Sequence, residues 1–476
     1  MDSSKTEIKD SMVVCQTSQG VELRASLVRL TRFSVVFEVY NPASVLRLSE
    51  VLSEFRIIVQ DRTLYSGRAV IRSLINSGLT LVCEVSLEEA AWMDVEFTPG
   101  KSSNGELAKG FGDFMNEWQK LYKVGADYKL IIADMQSFFM DLRLWLDQVE
   151  LTIRSAPSGD RGQLEQHAAD EVAKPVVPSV NDLFEKFESI AASLPEELQP
   201  AHRSYMRRQL HPWIMCAPFA HRAFFKPLGY AGDYELVNMM ARNLHEGGSL
   251  FAKVVNTWFL RQPPAQAHRN RLRYLVEKMT IEAARANAAG HEARIFNVAC
   301  GPAQEVGIFM AEQVVSSRSK FTLLDFNEET LQYTQSTLNE ARSRHGRSTQ
   351  LNYVKKSVHH MLKESGRTIE RAYQNQYDCV YCAGLFDYLS EQVCQRLMTL
   401  MYDWLAPGGL LVATNVEPSN PLRYGMEHLL DWHLIYRTGP QMRNLKPSQA
   451  DPDSVLVHAD ETGVNVFLEV RKPKNG

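Results

Sequence analysis

The sequence contains no apolar run of the roughly 20 residues that a membrane-spanning helix requires. Its first ten residues, MDSSKTEIKD, lack the basic-then-apolar pattern of a secretory signal. Basic residues are not in excess, since 52 lysines and arginines face 56 aspartates and glutamates, for a formal net charge of -4. That balance argues against a nucleic-acid-binding surface. We therefore expect a cytoplasmic protein with no membrane span and no nucleic-acid partner.

Cysteines are few and unevenly placed. There are seven in the chain, and an odd, scattered set argues against a disulfide framework. The single Cys-x-x-Cys pair, Cys379 and Cys382, lies in an apolar run typical of a strand, where the two thiols would face opposite ways. No second pair completes a zinc site, so the sequence predicts no bound metal.

A chain of 476 residues exceeds what one hydrophobic core usually serves, so several domains are expected. Residues 12–95 alternate short β-rich runs with turn-forming residues, a pattern typical of a small antiparallel β-barrel. We assign the barrel to residues 1–100.

Residues 101–155 change to a helical period, with large apolar residues at three- and four-residue steps. This apolar stripe needs a partner surface, which is either the barrel or a second copy in a homodimer formed through residues 104–154. Residues 156–180 are rich in serine, glycine, proline and charge, which is linker composition.

The remainder predicts a helical cap over a substrate site at residues 181–289 and an α/β domain at residues 290–476. In the latter, apolar strands alternate with amphipathic helices, which indicates a doubly wound, mostly parallel, Rossmann-like sheet. Ligands of such sheets bind beyond the carboxyl ends of the strands. The predicted fold is thus multidomain, with a small β-barrel, long helices and a capped α/β domain.

The stretch IFNVACGPAQEVG, residues 295–307, is the first strand-to-helix turn of that sheet. It lacks the Gly-x-Gly-x-x-Gly of dinucleotide sites, so a pyrophosphate is not indicated. Asp325 closes the second strand at a spacing where an acid meets ribose hydroxyls. Because the glycine motif for a diphosphate is lacking while the acid for ribose hydroxyls is present, the sequence favours a nucleoside ligand that carries no diphosphate.

Together with KKSVHHML after the third strand, YDCVYCAGLFDYL at the fourth and LAPGGLLVATNV at the fifth, these motifs resemble the class I S-adenosylmethionine-dependent methyltransferases over residues 290–472. The resemblance implies S-adenosylmethionine as cofactor. The cofactor-binding residues that it implies are Asn297, Ala299, Cys300, Gly301, Glu305, Asp325, Asn327, Ser357, Val358, Ala383, Gly384, Leu385 and Phe386.

Two further segments, FFKPLGYAGDYELVN (224–238) and NPLRYGMEHLLDWHLIYR (420–437), resemble a bacterial methyltransferase group associated with forming the methyl ester of a 3-hydroxy fatty acid, a quorum-sensing signal.

The N-terminal barrel resembles a divergent PilZ domain, a type that binds cyclic di-GMP. Only Arg29 and Arg32 stand where that family has its arginine motif, and the glycine motif is lacking. We therefore expect no cyclic di-GMP binding.

Candidate substrate residues lie in these segments and beside the fourth strand. In GYAGDY, the residues Tyr230, Asp233 and Tyr234 surround two glycines, which favours an active-site lid over a simple turn. Arg271 could clamp a carboxylate through its planar guanidinium. The others are Asp387 and Tyr388 after the fourth strand, and His428, Asp431, Trp432 and Tyr436, which recur at helical spacing and could equally be core residues.

A carboxylate acceptor is already anionic at neutral pH and needs no general base, whereas an alcohol does. If a base or acid acts, the candidates are Tyr230, Asp387 and His428. The leading hypothesis is a methyltransferase for a small or acyl molecule, such as a 3-hydroxy fatty acid carboxylate. The alternative is a regulatory or scaffold protein whose methyltransferase-like domain senses the cofactor while the barrel binds a partner or nucleotide. Methylation of protein or RNA is disfavoured by the charge balance.

Overall fold

The computed structural model describes residues 11–39, 46–59, 62–76, 80–88, 91–92, 124–157, 159–364 and 373–474. Six strands form the N-terminal part: β1 (Ser11–Gln16), β2 (Glu22–Leu30), β3 (Ser34–Val39), β4 (Val51–Val59), β5 (Arg62–Asn76) and β6 (Leu81–Leu87). They close into an antiparallel barrel in the order β1-β2-β3-β6-β5-β4. Alternate residues point inward, and Phe37, Phe55 and Ile57 are fully buried there. The predicted antiparallel barrel is therefore confirmed over the described strands.

After the barrel, the described residues form the α-helices α1 (Ala126–Arg154), α2 (Arg161–Ala192), α3 (Gln199–Ile214), α4 (Pro218–Phe225), α5 (Tyr234–Arg242), α6 (Leu250–Leu260) and α7 (Pro263–Ala288). Large apolar residues of α1, among them Tyr128, Met135 and Phe139, are buried against α2, α3 and α6 of the same chain. The buried part of the apolar stripe thus packs against helices of its own chain and not against the barrel. Residues 104–123 lie outside the described residues, so a dimer stays a prediction.

The predicted linker is wrong as a structural assignment, because α2 covers residues 161–180 of it. Its buried positions Ala169, Ala173, Val176 and Val180 recur at helical spacing, but two of these four residues are alanines, whose small side chains make the apolar pattern weak. Small residues and prolines gave the segment linker composition, although small residues also suit close helix packing. None of the described helices is long and apolar enough to cross a membrane.

The C-terminal part contains strands β7 (Ala293–Val298), β8 (Ser319–Asp325), β9 (Gln350–Lys355), β10 (Tyr377–Cys382), β11 (Leu405–Val416), β12 (Val455–Ala459) and β13 (Asn465–Arg471). Its helices are α8 (Gln304–Glu312), α9 (Glu328–Arg344), α10 (Val358–Glu364), α11 (Glu391–Trp404), α12 (Arg423–Leu429) and α13 (Gly439–Asn444). The sheet order is β12-β13-β11-β10-β7-β8-β9, and β13 runs antiparallel to β11 and β12. The sheet is mixed, and β12 is an edge strand that the sequence reading did not include.

The strand order reverses between β7 and β10, because β8 and β9 extend the sheet on one side of β7 while β11 follows on the other. Crevices at such switch points, outside the carboxyl ends of the strands, are where open α/β sheets bind ligands. The turns after β7, β8 and β10 meet at this place, which fixes where the site has to be sought.

Glu188 connects α2 to the start of α12, since its carboxylate accepts hydrogen bonds from the backbone amides of Tyr424, at 3.0 Å, and Gly425, at 2.6 Å. Burial raises the pKa of Glu188 from 4.5 to about 7, even though the two amides favour its ionised form. The folded state therefore holds a proton that the unfolded chain has lost between pH 4.5 and 7. The free energy of unfolding must fall as pH rises through that window.

We expect Glu188→Gln to remove this contribution, so that the melting temperature falls less between pH 4.5 and 7 than it does in the unaltered protein. Differential scanning calorimetry across this range measures it. Glu185→Gln, an exposed residue of the same helix, is the matched control and should keep the original pH dependence. An unchanged slope for the Glu188 variant would contradict the assigned ionisation.

Candidate functional site

A single continuous cavity lies at the switch point of the sheet. Its floor consists of the turns after β7, β8 and β10, and its walls come from the helical segment, the segment around α12 and one loop of the barrel. Of the residues predicted for the site, those that line it are Tyr230, Tyr234, Arg271, Asn297, Ala299, Cys300, Gly301, Glu305, Asp325, Ala383, Gly384, Leu385, Asp387, Tyr388 and Trp432.

The turn after β7 has an unusual backbone. Ala299, Gly301 and Ala303 have φ values of 58°, 53° and 47°, in the left-handed region that non-glycine residues seldom adopt. A Cβ added to Gly301 would meet no protein atom within 4 Å. Glycine is thus favoured there by conformation, while protein crowding gives no reason for it. An alanine in this region costs conformational energy, and residues with such strained backbone conformations cluster at ligand-binding sites.

Asp325, at the end of β8, is linked to that turn. Its Oδ2 accepts a hydrogen bond from the amide of Gly301 at 3.1 Å, and its Oδ1 accepts one from the amide of Asn327 at 3.0 Å. A carboxylate has about four acceptor positions, so further acceptor capacity remains for the cavity. Burial raises the pKa of Asp325, whereas the two amides oppose this. Asn327 itself caps α9 by accepting from the amide of Thr330 at 2.9 Å.

Glu305, in the first turn of α8, is a second acidic side chain of the cavity. Its Oε1 accepts hydrogen bonds from Nδ2 of Asn297 at 2.9 Å and from the hydroxyl of Tyr381 at 2.7 Å. Burial raises the pKa of Glu305, and the nearby guanidinium of Arg271 works in the opposite direction. The thiol of Cys300 stays protonated, because burial and the neighbouring carboxylates of Asp325 and Glu305 raise its pKa well above the usual value.

The wall after β10 approaches α7 closely. Gly384 has φ 91°, and a Cβ there would lie 3.1 Å from both terminal nitrogens of Arg271. The glycine is therefore required both by its conformation and by the arginine. Asp387 is buried, which raises its pKa, and its Oδ1 accepts from the amide of Val416 at 2.6 Å. This bond fixes the loop between β10 and α11 to the end of β11.

Arg271 has no ion-pair partner within the described part of the chain. Its Nη2 donates to Nδ1 of His268, at 3.0 Å, one helical turn earlier in α7. Burial, together with Arg271 and Arg269, holds the pKa of His268 well below its ordinary value, so the imidazole is neutral and can accept this bond. The cavity therefore contains a fixed cation, a natural partner for an anionic group of a ligand.

The GYAGDY segment joins α4 to α5 as the predicted loop and forms one wall. Tyr230 packs against Phe326, with ring centroids 5.2 Å apart. Gly232 lies against the pair formed by Trp432 and Tyr388, in which the indole Nε1 donates to the hydroxyl at 2.9 Å. The Tyr388 hydroxyl keeps its own proton to donate, because burial raises its pKa.

A large part of the cavity lining is apolar. These apolar residues come from the predicted helical cap and from the segment around α12: Phe184, Phe219, Met240, Trp258, Phe259, Leu272, Leu275, Leu422, Met426, Leu429 and Leu430. A cavity that combines polar groups with an extensive apolar lining suits a ligand with one charged end and a hydrocarbon body.

His428 does not line the cavity. It is fully buried, with Nδ1 2.8 Å from the Tyr128 hydroxyl and Nε2 2.5 Å from Oε1 of Gln199. The predicted helical face does not continue past it to Asp431, Trp432 and Tyr436, because α12 stops at Leu429 and Asp431 has a left-handed φ of 52°. His428 is the hydrogen-bonded core histidine that the sequence left as an alternative.

Asp431 accepts hydrogen bonds from Arg207 and from the barrel residue Ser86, both at 2.9 Å. Burial works against its ionisation, but Arg207 and His433 hold the pKa of Asp431 well below its usual range. Asp233 is the N-cap of α5 and forms an ion pair with Arg222 at 2.8 Å. Both acids are structural, since these bonds occupy them.

Four further predicted residues lie outside the lining, because packing or hydrogen bonding uses them elsewhere. Ser357 is bonded to His360, with Oγ 2.9 Å from Nδ1. Val358 and Phe386 belong to the core beneath the sheet. Tyr436 lies past the end of α12, with Arg423 4.8 Å above its ring.

Sequence reasoning missed several lining residues. Arg47 and Leu48 come from the barrel, between β3 and β4, and His268, Gln304 and Asn465 come from the α/β part and its cap. Nothing in the sequence around Arg47 connects it to a site more than 200 residues away along the chain. His268 could have been predicted from the sequence, because it lies three residues before Arg271 on the same helix.

No family model matches the chain, and no curated protein matches it in sequence. Among solved structures, a possible exported protein of Bordetella parapertussis is 14% identical with a TM-score of 0.39, covering 63% of this chain and 97% of that one. An O-methyltransferase family protein of Burkholderia thailandensis is 12% identical with a TM-score of 0.31, covering 60% and 75%. Magnesium protoporphyrin IX methyltransferase of Synechocystis PCC 6803, solved with S-adenosylhomocysteine, is 11% identical with a TM-score of 0.30, covering 44% and 84%. Likenesses this remote do not fix a function, which has to follow from the chain's own residues.

Proposed function

We propose that this protein is an S-adenosylmethionine-dependent methyltransferase that esterifies the carboxylate of an acyl chain. The observation that carries the proposal is the cavity itself, which Asp325 and the turn after β7, Arg271 and a set of apolar side chains all line together. A nucleoside, a carboxylate and a hydrocarbon chain each have a matching surface there.

The residues at the polar end fit the methyl donor. Asp325 has unused acceptor capacity for ribose hydroxyls, and the left-handed turn at Ala299–Ala303 exposes backbone to the cavity without large side chains. Asn297, Cys300 and Glu305 would line its amino-acid end, and the wall Ala383–Leu385 would lie behind the sulfonium. Bound S-adenosylmethionine supplies an electrophilic methyl group on a positively charged sulfur.

For the acceptor, the guanidinium of Arg271 offers a planar pair of donors to a carboxylate. The apolar lining would hold the hydrocarbon chain, and burying it supplies about 0.8 kcal/mol per CH₂ group. Tyr388, which retains a hydroxyl proton, is placed to donate to a second oxygen such as a 3-hydroxyl group. A 3-hydroxy fatty acid combines all three features, and its methyl ester would be the product.

The chain's contribution to the reaction would be positional. A carboxylate is ionised at neutral pH, so the residues need only hold it in line with the methyl group and exclude water. Tyr230, Tyr234 and Trp432 form the lid side that would exclude water, while Asp387 fixes the loop after β10. No general base is required, and His428 takes no part.

The test is incubation of the full chain with methyl-labelled S-adenosylmethionine and a series of 3-hydroxy fatty acids, followed by separation of free acids, esters and macromolecules. We expect label in a methyl ester, with a rate that depends on chain length. Failure to bind S-adenosylhomocysteine in calorimetry would refute the methyltransferase. Label in the macromolecular fraction alone would refute the acyl acceptor but retain the donor.

A further inference from the structure

Residues 46–50, the loop segment directly before β4, contribute to the wall of the cavity. Arg47 and Leu48 from this loop are 7% and 6% exposed, and both line the cavity that contains Asp325. They are the only described barrel residues in that lining. The barrel thus forms part of the wall of the cavity that Asp325 also lines.

Arg47 is aimed at a specific place. Its guanidinium carbon lies 4.5 Å from the ring centroid of Phe326, the residue directly after Asp325, and Tyr230 packs on the same ring. The Nε of Arg47 is buried without a hydrogen-bond partner in the described part of the chain. A buried donor left unsatisfied is costly, which is a reason to expect a ligand group opposite it.

The loop segment 46–50 is fixed on both sides. The carboxylate of Glu50 accepts from the amide of Arg47 at 3.0 Å and from the amide and hydroxyl of Ser18 at 2.9 and 2.6 Å. The amide of Val51 donates to the carbonyl of Gly229, the first residue of the GYAGDY loop, at 2.7 Å. Ser49 Oγ donates to the His433 carbonyl at 2.8 Å. The position of Arg47 is therefore set by barrel and cap together.

We propose that Arg47 closes the nucleoside end of the methyl-donor site, so that the barrel is a structural part of that site. This inference rests on the proposed function. A planar guanidinium that packs on an aromatic ring can present its other face or its edge to a purine nucleoside. The barrel would then be required for donor binding, even without a nucleotide ligand of its own.

The experiment is calorimetric titration of the full chain with S-adenosylhomocysteine and with 5′-methylthioadenosine, which carries the nucleoside without the amino-acid end. We expect Arg47→Ala to weaken both ligands about tenfold, as loss of a desolvated cation–π contact would. Arg47→Lys should recover only part of this, because an ammonium group lacks the planar face. Arg56→Ala, an exposed arginine of the same barrel, should leave both affinities unchanged.

Glu50→Gln provides a second variant if Arg47→Ala fails to fold, since it retains Arg47 while weakening the anchor of the loop. It should weaken both ligands by a smaller factor. Unchanged affinities in the Arg47 and Glu50 variants would overturn the inference while leaving the methyltransferase intact. A loss confined to S-adenosylhomocysteine would also overturn it, because Arg47 would then bind the amino-acid carboxylate. No binding by the unaltered protein would overturn both proposals.

Discussion

Replacing Asp325 with asparagine is expected to weaken binding of S-adenosylhomocysteine by about 100-fold or more. The carboxylate would accept both ribose hydroxyls while it also holds the amides of Gly301 and Asn327. Hydrogen bonds to a charged group contribute about 1.5–3 kcal/mol each, and two such bonds lost correspond to at least this factor. The side chain of asparagine would retain only one acceptor oxygen. Its NH₂ group, which is a donor, would face either a backbone amide or a ribose hydroxyl. Isothermal titration calorimetry at fixed salt and pH measures the change.

Asp378→Asn is the matched control, because Asp378 is also a buried acid that accepts a backbone amide, that of Arg294 at 3.0 Å. It lies near the start of β10, whereas the cavity lies beyond the carboxyl ends of the strands. Its variant can lower the melting temperature, but the affinity for S-adenosylhomocysteine should not change. Equal affinities for the Asp325 variant and the unaltered protein would remove the basis for placing a ribose at β8.

The sheet was largely predictable from the sequence, because buried strands are continuous apolar runs and the turn residues between them have fixed backbone preferences. The strand RIFNVAC and the turn that follows it are contiguous in sequence, so one short motif predicted the floor of the cavity. The edge strand β12, Val455–Ala459, was not recognised, since it is short and only partly buried. The same limit applies to α2, where burial of small residues leaves no strong apolar pattern.

Walls of the cavity that depend on long-range packing were much less predictable. Arg47 is brought to Phe326 by the docking of the whole barrel, which no local pattern encodes. His428 was assigned to a helical face that ends at Leu429, because a left-handed Asp431 could not be foreseen from helical spacing alone. By contrast, Arg271 was identified from its type and place in a helix, and its contact with Gly384 gives a physical reason for both residues.

Arg271→Met is expected to lower kcat/KM for a 3-hydroxy fatty acid by about 100-fold or more while the affinity for S-adenosylhomocysteine stays within about twofold. Truncating one partner of a buried charge pair costs about 2–5 kcal/mol, much of it from leaving the other charge unpaired. Methionine retains the unbranched shape and fills the space beside Gly384 without a cation. Steady-state methyl transfer measures the first quantity and calorimetry the second.

The same helix offers the control, since Arg273 is exposed and two residues away. Arg273→Met should leave kcat/KM unchanged. This result would distinguish a specific contact of Arg271 with the carboxylate from an effect of the overall positive charge of α7. A fatty alcohol of equal length has no carboxylate, so any weak binding of it should be indifferent to Arg271. If the Arg271 variant esterifies the acid normally and still binds S-adenosylhomocysteine, the cation serves only to orient His268 and Gly384, and the acceptor has to be sought among uncharged molecules.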